Sequence, residues 1–212
     1  MDITFLGHAS FRVKGKNATL VIDPFDSASV GLKFPRSVEA NVVTISHDHK
    51  DHNASLAVGG SPYIISGPGE YEVKGISVIG IGTHHDSVQG KDHGKNVIYR
   101  YVLDGVHVAH LGDLGHQLNT EQLDMLAGTD ILMVSVSGKY LTNKETIELI
   151  STIEPKIVIP MHYKQVGHSD KFSSLGQVSV FLLEFGKEPQ RVAKLSVTKD
   201  KLPSELQVVV FE

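Results

Sequence analysis

The segment 46–52, Ser-His-Asp-His-Lys-Asp-His, constrains this chain more than any other. Four of its side chains are good ligands for a divalent metal ion: those of His47, His49, Asp51 and His52. An apolar run over residues 42–45 directly precedes the segment and predicts a buried strand. Because His47 and His49 are two positions apart, a slightly extended chain directs both imidazoles to the same side. The segment therefore predicts a metal site at the end of a strand.

The absence of cysteine restricts the chemistry further. Without cysteine there are no disulfides, no thiolate metal ligands and no cysteine nucleophiles. Histidine and carboxylate side chains are then the expected ligands, and the chain has 12 histidines and 24 acidic residues. A formal net charge of −4 argues against a general nucleic-acid binder, which would need a basic face. This charge remains compatible with a small-molecule substrate, including an anionic or phosphorylated one.

Length and composition indicate an ordinary soluble globular protein. The chain has 212 residues, of which 41% are hydrophobic and 21% charged. No linker, low-complexity segment or internal repeat divides it, so we expect a single domain over residues 1–212. There is neither an N-terminal apolar signal segment nor an apolar run of about 18 residues. We therefore expect a cytoplasmic protein with no membrane association.

Short apolar runs separated by glycine and proline turns predict a β-rich chain with helices in its second half. Strands are predicted over 3–6, 10–13, 18–22, 42–46, 63–65, 71–73, 76–81, 96–103, 106–110, 130–136, 156–160, 192–197 and 207–211. Helices are predicted over 53–58, from Asn119 or Thr120 to 127, over 147–153 behind a capping box of Thr142 and Glu145, and over 175–185. The stretch 26–41 is predicted to be a loop with little regular structure.

Other residues that could bind metal also come directly after predicted strands: Asp23, the three histidines of the loop 83–96, Asp113 and His162. Such positions tend to collect at one edge of the sheets of a sheet-rich protein, so we expect them to surround one cleft. A dinuclear site needs several protein ligands and a carboxylate that bridges ions about 3.5–4 Å apart. The spacing therefore favours two metal ions over one.

The candidate ligands divide into two groups. His47, His49 and a histidine of the loop 83–96 would form one site, and Asp51, His52 and His162 would form the other, with Asp113 as the bridge. An open position between the ions would hold a water whose pKa falls until it is hydroxide near neutral pH. Zinc is the leading expectation for this nitrogen and oxygen set, and Mn²⁺ or Fe²⁺ would also suit it.

Taken together, these motifs resemble those of the metallo-β-lactamase-fold hydrolases: H-x-H-x-D-H after a strand, Gly112-Asp113 after a later strand and Met161-His162-Tyr163 after another. Within that superfamily, the segments 7–10 (Gly-His-Ala-Ser) and 22–25 (Ile-Asp-Pro-Phe) resemble the Zn-dependent hydrolase group that includes the ascorbate-phosphate lactonases. The resemblance extends over about residues 2–165. It implies an α/β fold, the four-layer αββα sandwich, with a dinuclear site along one edge of the two sheets.

The resemblance also implies a role for each ligand. His47, His49 and His84 would bind one metal, Asp51, His52 and His162 the other, and Asp113 would bridge. We prefer His84 to its neighbour His85 because His84 lies nearer the preceding strand, in the place that the family pattern uses. Asp23 would hold the ligand loop from behind.

Several departures from the family pattern narrow the chemistry. No cysteine stands at the ligand position of the common true β-lactamases, so antibiotic hydrolysis is not expected. His49 stands where oxygen-reducing diiron relatives have glutamate, which disfavours redox chemistry. Ser46 and Leu114 stand where threonine is common, and the second change removes a hydroxyl beside Asp113. The chain is also too short for a glyoxalase-type helical domain or a transfer-RNA-binding arm.

These observations favour a metal-dependent hydrolase in which activated hydroxide attacks an ester, lactone or phosphodiester bond of a small substrate. Asp51 or Asp113 would orient the nucleophile and accept its proton, and His116, just past Asp113, is the candidate proton donor to the leaving group. His8 could bond a ligand or the substrate, and a packed histidine without such a role is the equal alternative. The second hypothesis is a metal-binding regulatory or interaction protein on the same fold, without turnover.

Overall fold

The computed structural model describes residues 1–212, which form two β-sheets packed face to face with helices outside them. The strands are β1 Asp2–Gly7, β2 Ser10–Lys14, β3 Thr19–Ile22, β4 Val42–Thr44, β5 Tyr63–Ile65, β6 Gly69–Val73, β7 Ile76–His84, β8 Lys95–Leu103, β9 Val106–His110, β10 Ile131–Ser135, β11 Ile157–Met161, β12 Pro189–Val192, β13 Leu195–Ser196 and β14 Gln207–Phe211. The α-helices are α1 Ser27–Val30, α2 Thr120–Leu126, α3 Asn143–Ile153 and α4 Val178–Phe185. This arrangement confirms the predicted αββα sandwich.

The smaller sheet has six strands in the order β13-β1-β2-β3-β4-β5. Its first four strands pair antiparallel, whereas β3, β4 and β5 are parallel. Parallel neighbours end at the same edge of a sheet. The carboxyl ends of β3 and β4 therefore bring Asp23 and the segment 46–52 side by side.

The larger sheet has eight strands in the order β12-β14-β11-β10-β9-β8-β7-β6. Strands β6 to β9 form an antiparallel meander, while β9, β10 and β11 run parallel. The ends of β9 and β11 carry Asp113 and His162 to one edge, and the end of β7 carries the loop that starts at His85. Each sheet thus delivers candidate ligands from its strand ends.

The core consists of three layers of apolar side chains. A cluster of 26 buried residues fills the space between the sheets, with Phe11, Tyr99 and Tyr101 among its largest members. A second cluster of 17 buried residues lies between the larger sheet and the helices that cover it. On the outer face of the smaller sheet, the third cluster has six buried residues and draws on loop residues such as Val38 and Val58. Burial on both faces explains why these strands read as continuous apolar runs.

Most predicted elements are present. The hairpin β8–β9 turns at Asp104-Gly105, and both residues have positive φ, 52° and 79°. The helices α2 and α3 begin with capping boxes at Asn119 and Thr142. Some expectations differ: α4 begins at Val178, three residues later than predicted, and the predicted loop 26–41 contains the short helix α1, which Asp26 caps through its side chain. The predicted helix 53–58 is only a single 3-10 turn over Ser55–Ala57. The predicted strand 192–197 is divided between β12, which ends at Val192, and β13 in the other sheet. None of the helices has the length and apolar character needed to cross a bilayer.

Candidate metal centre

Two groups of side chains with metal-ligand chemistry meet at the shared edge of the sheets. The first group consists of His47, His49 and His85, and the second of His8, Asp51, His52 and His162. Within each group the ligand atoms lie within 4.8 Å of one another. Five of the predicted ligands (His47, His49, Asp51, His52 and His162) are thus brought together with Asp113, the sixth, while His84 is not.

Asp113 lies between the two groups. Its Oδ2 is 3.2 Å from Nε2 of His85, 3.6 Å from Nε2 of His52 and 3.4 Å from Nε2 of His162. The Oδ1 atom is buried and has no hydrogen-bond partner. This single carboxylate therefore faces nitrogen atoms of both groups, as a bridging ligand would.

Asp23, at the end of β3, orients two histidines from behind. Its Oδ2 is 2.8 Å from Nδ1 of His52 and also accepts the hydroxyl hydrogen of Ser46. Because that hydroxyl is used as a donor, Nδ1 of His47, 3.0 Å away, must donate to Ser46 Oγ. Both imidazoles are then left with Nε2 as the atom that faces the cluster. A carboxylate behind a histidine is a common support of metal sites.

Asn96, the second residue of β8, supports Asp113 in a comparable way. Its buried side chain accepts a hydrogen bond from the Asp113 backbone and donates to the Leu111 carbonyl and the Thr83 hydroxyl. The neighbouring Gly112 has a φ of 56°, and a Cβ at this position would overlap the Asn96 amide. Glycine is therefore required for this close approach.

His85, and not His84, belongs to the cluster, which corrects the sequence-based preference. Strand β7 continues through His84, which pairs in register with Lys95, and the chain turns only after it. The His84 ring lies 5.5 Å from the ring of His116. The ring of His85 is fully buried and lies 4.6 Å from that of His47 and 5.1 Å from that of His49.

The backbone around His85 is fixed by its neighbours. Asp86 accepts hydrogen bonds from four backbone N–H groups of the following loop: those of Val88, Gly90, Asp92 and His93. Desolvation is the largest single effect and opposes ionisation, but the four bonds together outweigh it and lower the pKa of the Asp86 carboxyl to about 2. Gly115 packs so tightly against this turn that a Cβ would overlap the backbone of His85 and Asp86.

His116 does not join the cluster. Its Nε2 accepts the backbone N–H of His84 at 3.1 Å, and its Nδ1 is 2.8 Å from the carbonyl of Gln117. Both ring nitrogens are thus engaged by backbone groups, with Nδ1 as the donor. This arrangement gives no support to the prediction that His116 donates a proton to the leaving group.

Three residues of the site have backbone conformations that L-residues rarely adopt. His8, Asp23 and His162 have φ values of 57°, 45° and 55°. Such conformations cost on the order of 1–2 kcal/mol each and are concentrated at functional sites. The strain is maintained by long-range bonds, among them the one from the His162 N–H to the His8 carbonyl at 2.8 Å.

The electrostatics of the cluster favour a cation. Burial opposes ionisation of Asp113, but the neighbouring His162 and His52 hold the pKa of its carboxyl well below the usual range. Burial likewise lowers the pKa of His47 to about 2, with the charge of His52 as the next cause. For His52 burial is outweighed by Asp113 and Asp51, which raise its pKa. The two carboxylates thus attract positive charge into a buried position.

The donor set fits metal ions. The cluster contains buried nitrogen and oxygen atoms that have no hydrogen-bond partner: Nε2 of His47, His52, His85 and His162, and Oδ1 of Asp113. Buried polar atoms are nearly always paired, and each unpaired one costs about 1–3 kcal/mol. Divalent ions coordinated by these atoms would remove that cost, and imidazole with carboxylate is a ligand set that suits zinc.

Two further features line the site. Tyr140, in the loop after β10, packs edge-on against His85 with ring centroids 4.2 Å apart. Burial raises the pKa of Tyr140 well above its usual value, and Asp113 and Asp51 add to the effect, so its hydroxyl keeps its proton. A cleft of about 480 Å³ opens beside the centre, and His47, His49, His93 and Lys95 are among the residues that line it.

Three residues that the structure brings to the site or its support are not predicted from the sequence: Asn96, Tyr140 and His168. His85 is the sequence-based alternative to His84, since a strand end is uncertain by a residue or two. Asn96 and Tyr140 belong to no metal-ligand pattern. For His168, the only feature of the sequence that could suggest a role in the site is that the residue is a histidine.

Comparison with known proteins is consistent with this geometry. The model of the β-lactamase superfamily domain matches residues 2–162. The chain belongs to this family. Its predicted resemblance to the metallo-β-lactamase-fold hydrolases is thereby confirmed, and the protein is a metal-dependent hydrolase of the metallo-β-lactamase superfamily.

Two curated relatives of this chain carry the name UPF0173 metal-dependent hydrolase. The protein from Thermococcus onnurineus is 29% identical, and the alignment covers 77% of this chain and 84% of that protein. The protein from Thermoplasma acidophilum is 30% identical, with coverage of 77% and 83%. Both relatives are similar over most of their length.

Solved structures give the same result for the fold. A crystal structure of a candidate Zn-dependent hydrolase of the metallo-β-lactamase superfamily from Thermotoga maritima has a TM-score of 0.81 and 35% identity, covering 100% of this chain and 98% of that one. The metallo hydrolase Igni18 from Ignicoccus hospitalis has a TM-score of 0.68 at 17% identity, covering 93% and 99%. At that lower identity the likeness concerns the fold alone.

Proposed function

We propose that this metal-dependent hydrolase cleaves an ester, lactone or phosphodiester bond of a small molecule at a dinuclear centre. His47, His49 and His85 would hold one ion, Asp51, His52 and His162 the other, and Asp113 would bridge them. The observation that carries the proposal is the position of Asp113 Oδ2, within 3.6 Å of histidine nitrogens from both groups. A mononuclear site would not need a carboxylate between two complete ligand groups.

Zinc is the metal that we propose. The donor set contains imidazoles and carboxylates and no thiolate, because the chain has no cysteine. Histidine-rich sites with an open position are typical of catalytic zinc. The Thermotoga maritima relative carries a Zn-dependent description, which favours the same metal here. Manganese and iron remain alternatives for this ligand set.

Metal ions, when bound, would lower the pKa of a water in the site and polarise the scissile bond. The residues of the chain would direct the reaction. Asp51, whose Oδ2 lies 3.5 Å from Nε2 of His52 and 3.7 Å from Nε2 of His162, would orient the attacking water and accept one of its protons. The water oxygen bonds to the carbonyl carbon or phosphorus, the bond to the leaving oxygen breaks, and that oxygen takes up the proton from Asp51.

Tyr140 is the side chain best suited to assist this step. Its hydroxyl stays protonated, since burial and the nearby carboxylates raise its pKa well above the usual value. No protein group accepts a hydrogen bond from this hydroxyl, while the ring packs on His85. We therefore assign Tyr140 as a hydrogen-bond donor to the oxygen on which negative charge develops.

The cleft beside the centre supports a polar substrate. One of its ten lining residues is hydrophobic, and His93 and Lys95 line it together with His47 and His49. A lysine ammonium and a histidine ring at a cleft wall suit a carboxylate or phosphate group of a substrate. Anionic lactones and phosphodiesters are therefore the first classes to test.

The proposal is tested by metal analysis together with hydrolysis assays. Protein stripped with a chelator and reloaded with Zn²⁺ should contain two ions per chain and cleave bis(p-nitrophenyl) phosphate or a simple γ-lactone. Asp113→Asn and His47→Ala should lose activity and metal, whereas His107→Ala, a partly buried histidine on β9 outside the centre, should keep both. One ion per chain would rule out the dinuclear centre. Two ions without turnover on any substrate class would favour a metal-binding role without catalysis.

A further inference from the structure

His8 is hydrogen-bonded to His168, a histidine that belongs to neither ligand group. Its Nε2 lies 3.1 Å from Oδ2 of Asp51, and its Nδ1 lies 3.2 Å from Nε2 of His168. At the far end, Nδ1 of His168 accepts the backbone N–H of Gln165 at 3.1 Å. The three contacts form one continuous row of hydrogen bonds from a backbone amide to the Asp51 carboxylate.

The backbone N–H of Gln165 fixes the direction of every hydrogen bond in this row. An amide N–H can only donate, so Nδ1 of His168 is unprotonated and its Nε2 carries the hydrogen. That hydrogen points to Nδ1 of His8, which must accept it. The hydrogen of the neutral His8 ring is therefore on Nε2, where it is donated to Asp51.

This tautomer determines what His8 can do in the centre. Its Nε2 lies among the ligand atoms of Asp51, His52 and His162, close enough to be a fourth protein ligand. A nitrogen that carries a hydrogen has no lone pair in the ring plane and cannot coordinate a metal ion. His8 is thus present in the group as a donor to one of its ligands.

We propose that His168 is a positioning residue that acts through His8: it holds His8 as a hydrogen-bond donor to Asp51 and keeps it from binding metal. This inference rests on the proposed dinuclear centre. With His8 excluded, the ion of the second group keeps an open position, which catalytic sites need for water or substrate. His8 as a third imidazole there would instead fill that position and give a closed site of the structural kind.

The surroundings of the pair are built to hold it in place. The His8 backbone N–H donates to Oε1 of Gln165 at 2.8 Å, and the His8 carbonyl accepts the N–H of His162. The ring of Phe172 packs on both imidazoles, with centroids 4.8 Å from His8 and 5.5 Å from His168. The loop that carries His168 is in turn bonded to α1, since Ser169 donates to the carbonyls of Val30 and Ser29. Neither ring can rotate without breaking several of these contacts.

Nitrogen NMR of the histidines tests the inference without any substrate. In protein labelled with ¹⁵N-histidine, assigned with His8→Gln and His168→Gln, long-range ¹H–¹⁵N spectra distinguish protonated, bare and metal-bound nitrogens. We expect a protonated Nε2 on His8 and on His168, both before and after loading with Zn²⁺. A zinc-bound Nε2 on His8, or a protonated Nδ1 on His168, would overturn the proposal.

Variants of His168 test the consequence for turnover. His168→Gln keeps an amide that can donate to His8, whereas His168→Leu removes the donor at similar size. We expect His168→Leu to lower kcat on bis(p-nitrophenyl) phosphate by about 10- to 100-fold with little change in KM, since partners behind metal ligands have effects of this size. His168→Gln should retain most of the activity, and both variants should keep two Zn²⁺ per chain. His107→Leu is the control for a histidine outside the site.

The outcomes separate this inference from the proposed function. Equal losses in His168→Gln and His168→Leu would mean that His168 only packs, and the positioning role would be wrong. If the wild-type protein binds zinc and hydrolyses nothing, the proposed function fails, while the NMR spectra still decide which nitrogen of His8 carries the hydrogen.

Discussion

Oδ1 of Asn96 accepts the backbone N–H of Asp113 at 3.0 Å, and its Nδ2 bonds two further buried groups. Replacement by leucine would leave these partners unpaired in a site from which water is excluded. We expect Asn96→Leu to lower the free energy of unfolding by about 3 kcal/mol, measured by urea denaturation. It should also reduce the metal content, because the backbone of Asp113 loses its anchor.

The control for this prediction is Asn143→Ala at the first turn of α3. The Asn143 amide bonds Glu184 at the surface, where such a loss costs about 0.5 kcal/mol or less. An Asn96→Leu protein as stable and as metal-rich as Asn143→Ala would refute the anchoring role.

His84 and His85 provide a paired test of the first ligand group. His85→Ala should bind one Zn²⁺ where the wild type binds two, because His85 lies 3.2 Å from Asp113 and its neighbour does not face the cluster. His84→Ala should keep both ions and most of the activity, since only the backbone of His84 is engaged by His116. Metal content by atomic emission is the measurement, and the reverse result would restore His84 as the ligand.

Gly115 tests the backbone that carries His85. The methyl group of Gly115→Ala would overlap the His85–Asp86 backbone, so we expect a displaced His85, loss of metal from the first group and a lower melting temperature. Gly82→Ala on β7 is the matched control, because its methyl group would make only ordinary contact with Pro68. Equal metal content in the two variants would show that the turn tolerates the extra volume.

Tyr140→Phe removes one hydroxyl and leaves the ring on His85. We expect kcat to fall on the order of 100-fold, the usual effect of losing a donor to a developing oxyanion. Metal content and melting temperature should stay unchanged, because this hydroxyl bonds no protein group. A variant with full activity would exclude Tyr140 from the reaction and leave it a packing role against His85.

The sequence predicts the positions at which ligands can occur better than the ligands themselves. His47, Asp113 and His162 are predicted to meet because each follows an apolar run that ends at a sheet edge, and edges of parallel strands coincide. The choice between His84 and His85 depended on where β7 ends. A shift of one residue in that boundary exchanges which of two adjacent side chains faces the site.

Contacts between distant segments account for the rest. The row Gln165–His168–His8–Asp51 joins the first turn of the chain to a loop beyond β11, and no local pattern encodes it. His116 shows the converse: proximity in sequence to Asp113 suggested a catalytic role, but the backbone turns its ring toward Gln117. Helix α4 began later than its periodicity predicts, because the apolar residue Leu175 is buried in the preceding loop.

The ligand groups draw on both sheets of the sandwich. His47 and His52 follow a strand of the smaller sheet, whereas His85, Asp113 and His162 follow strands of the larger one. Ions held jointly by these residues would cross-link the two sheets and close very long loops without a disulfide. Such a cross-link can form only after the sheets have docked, so metal uptake would follow folding and would report that the two halves of the molecule have come together.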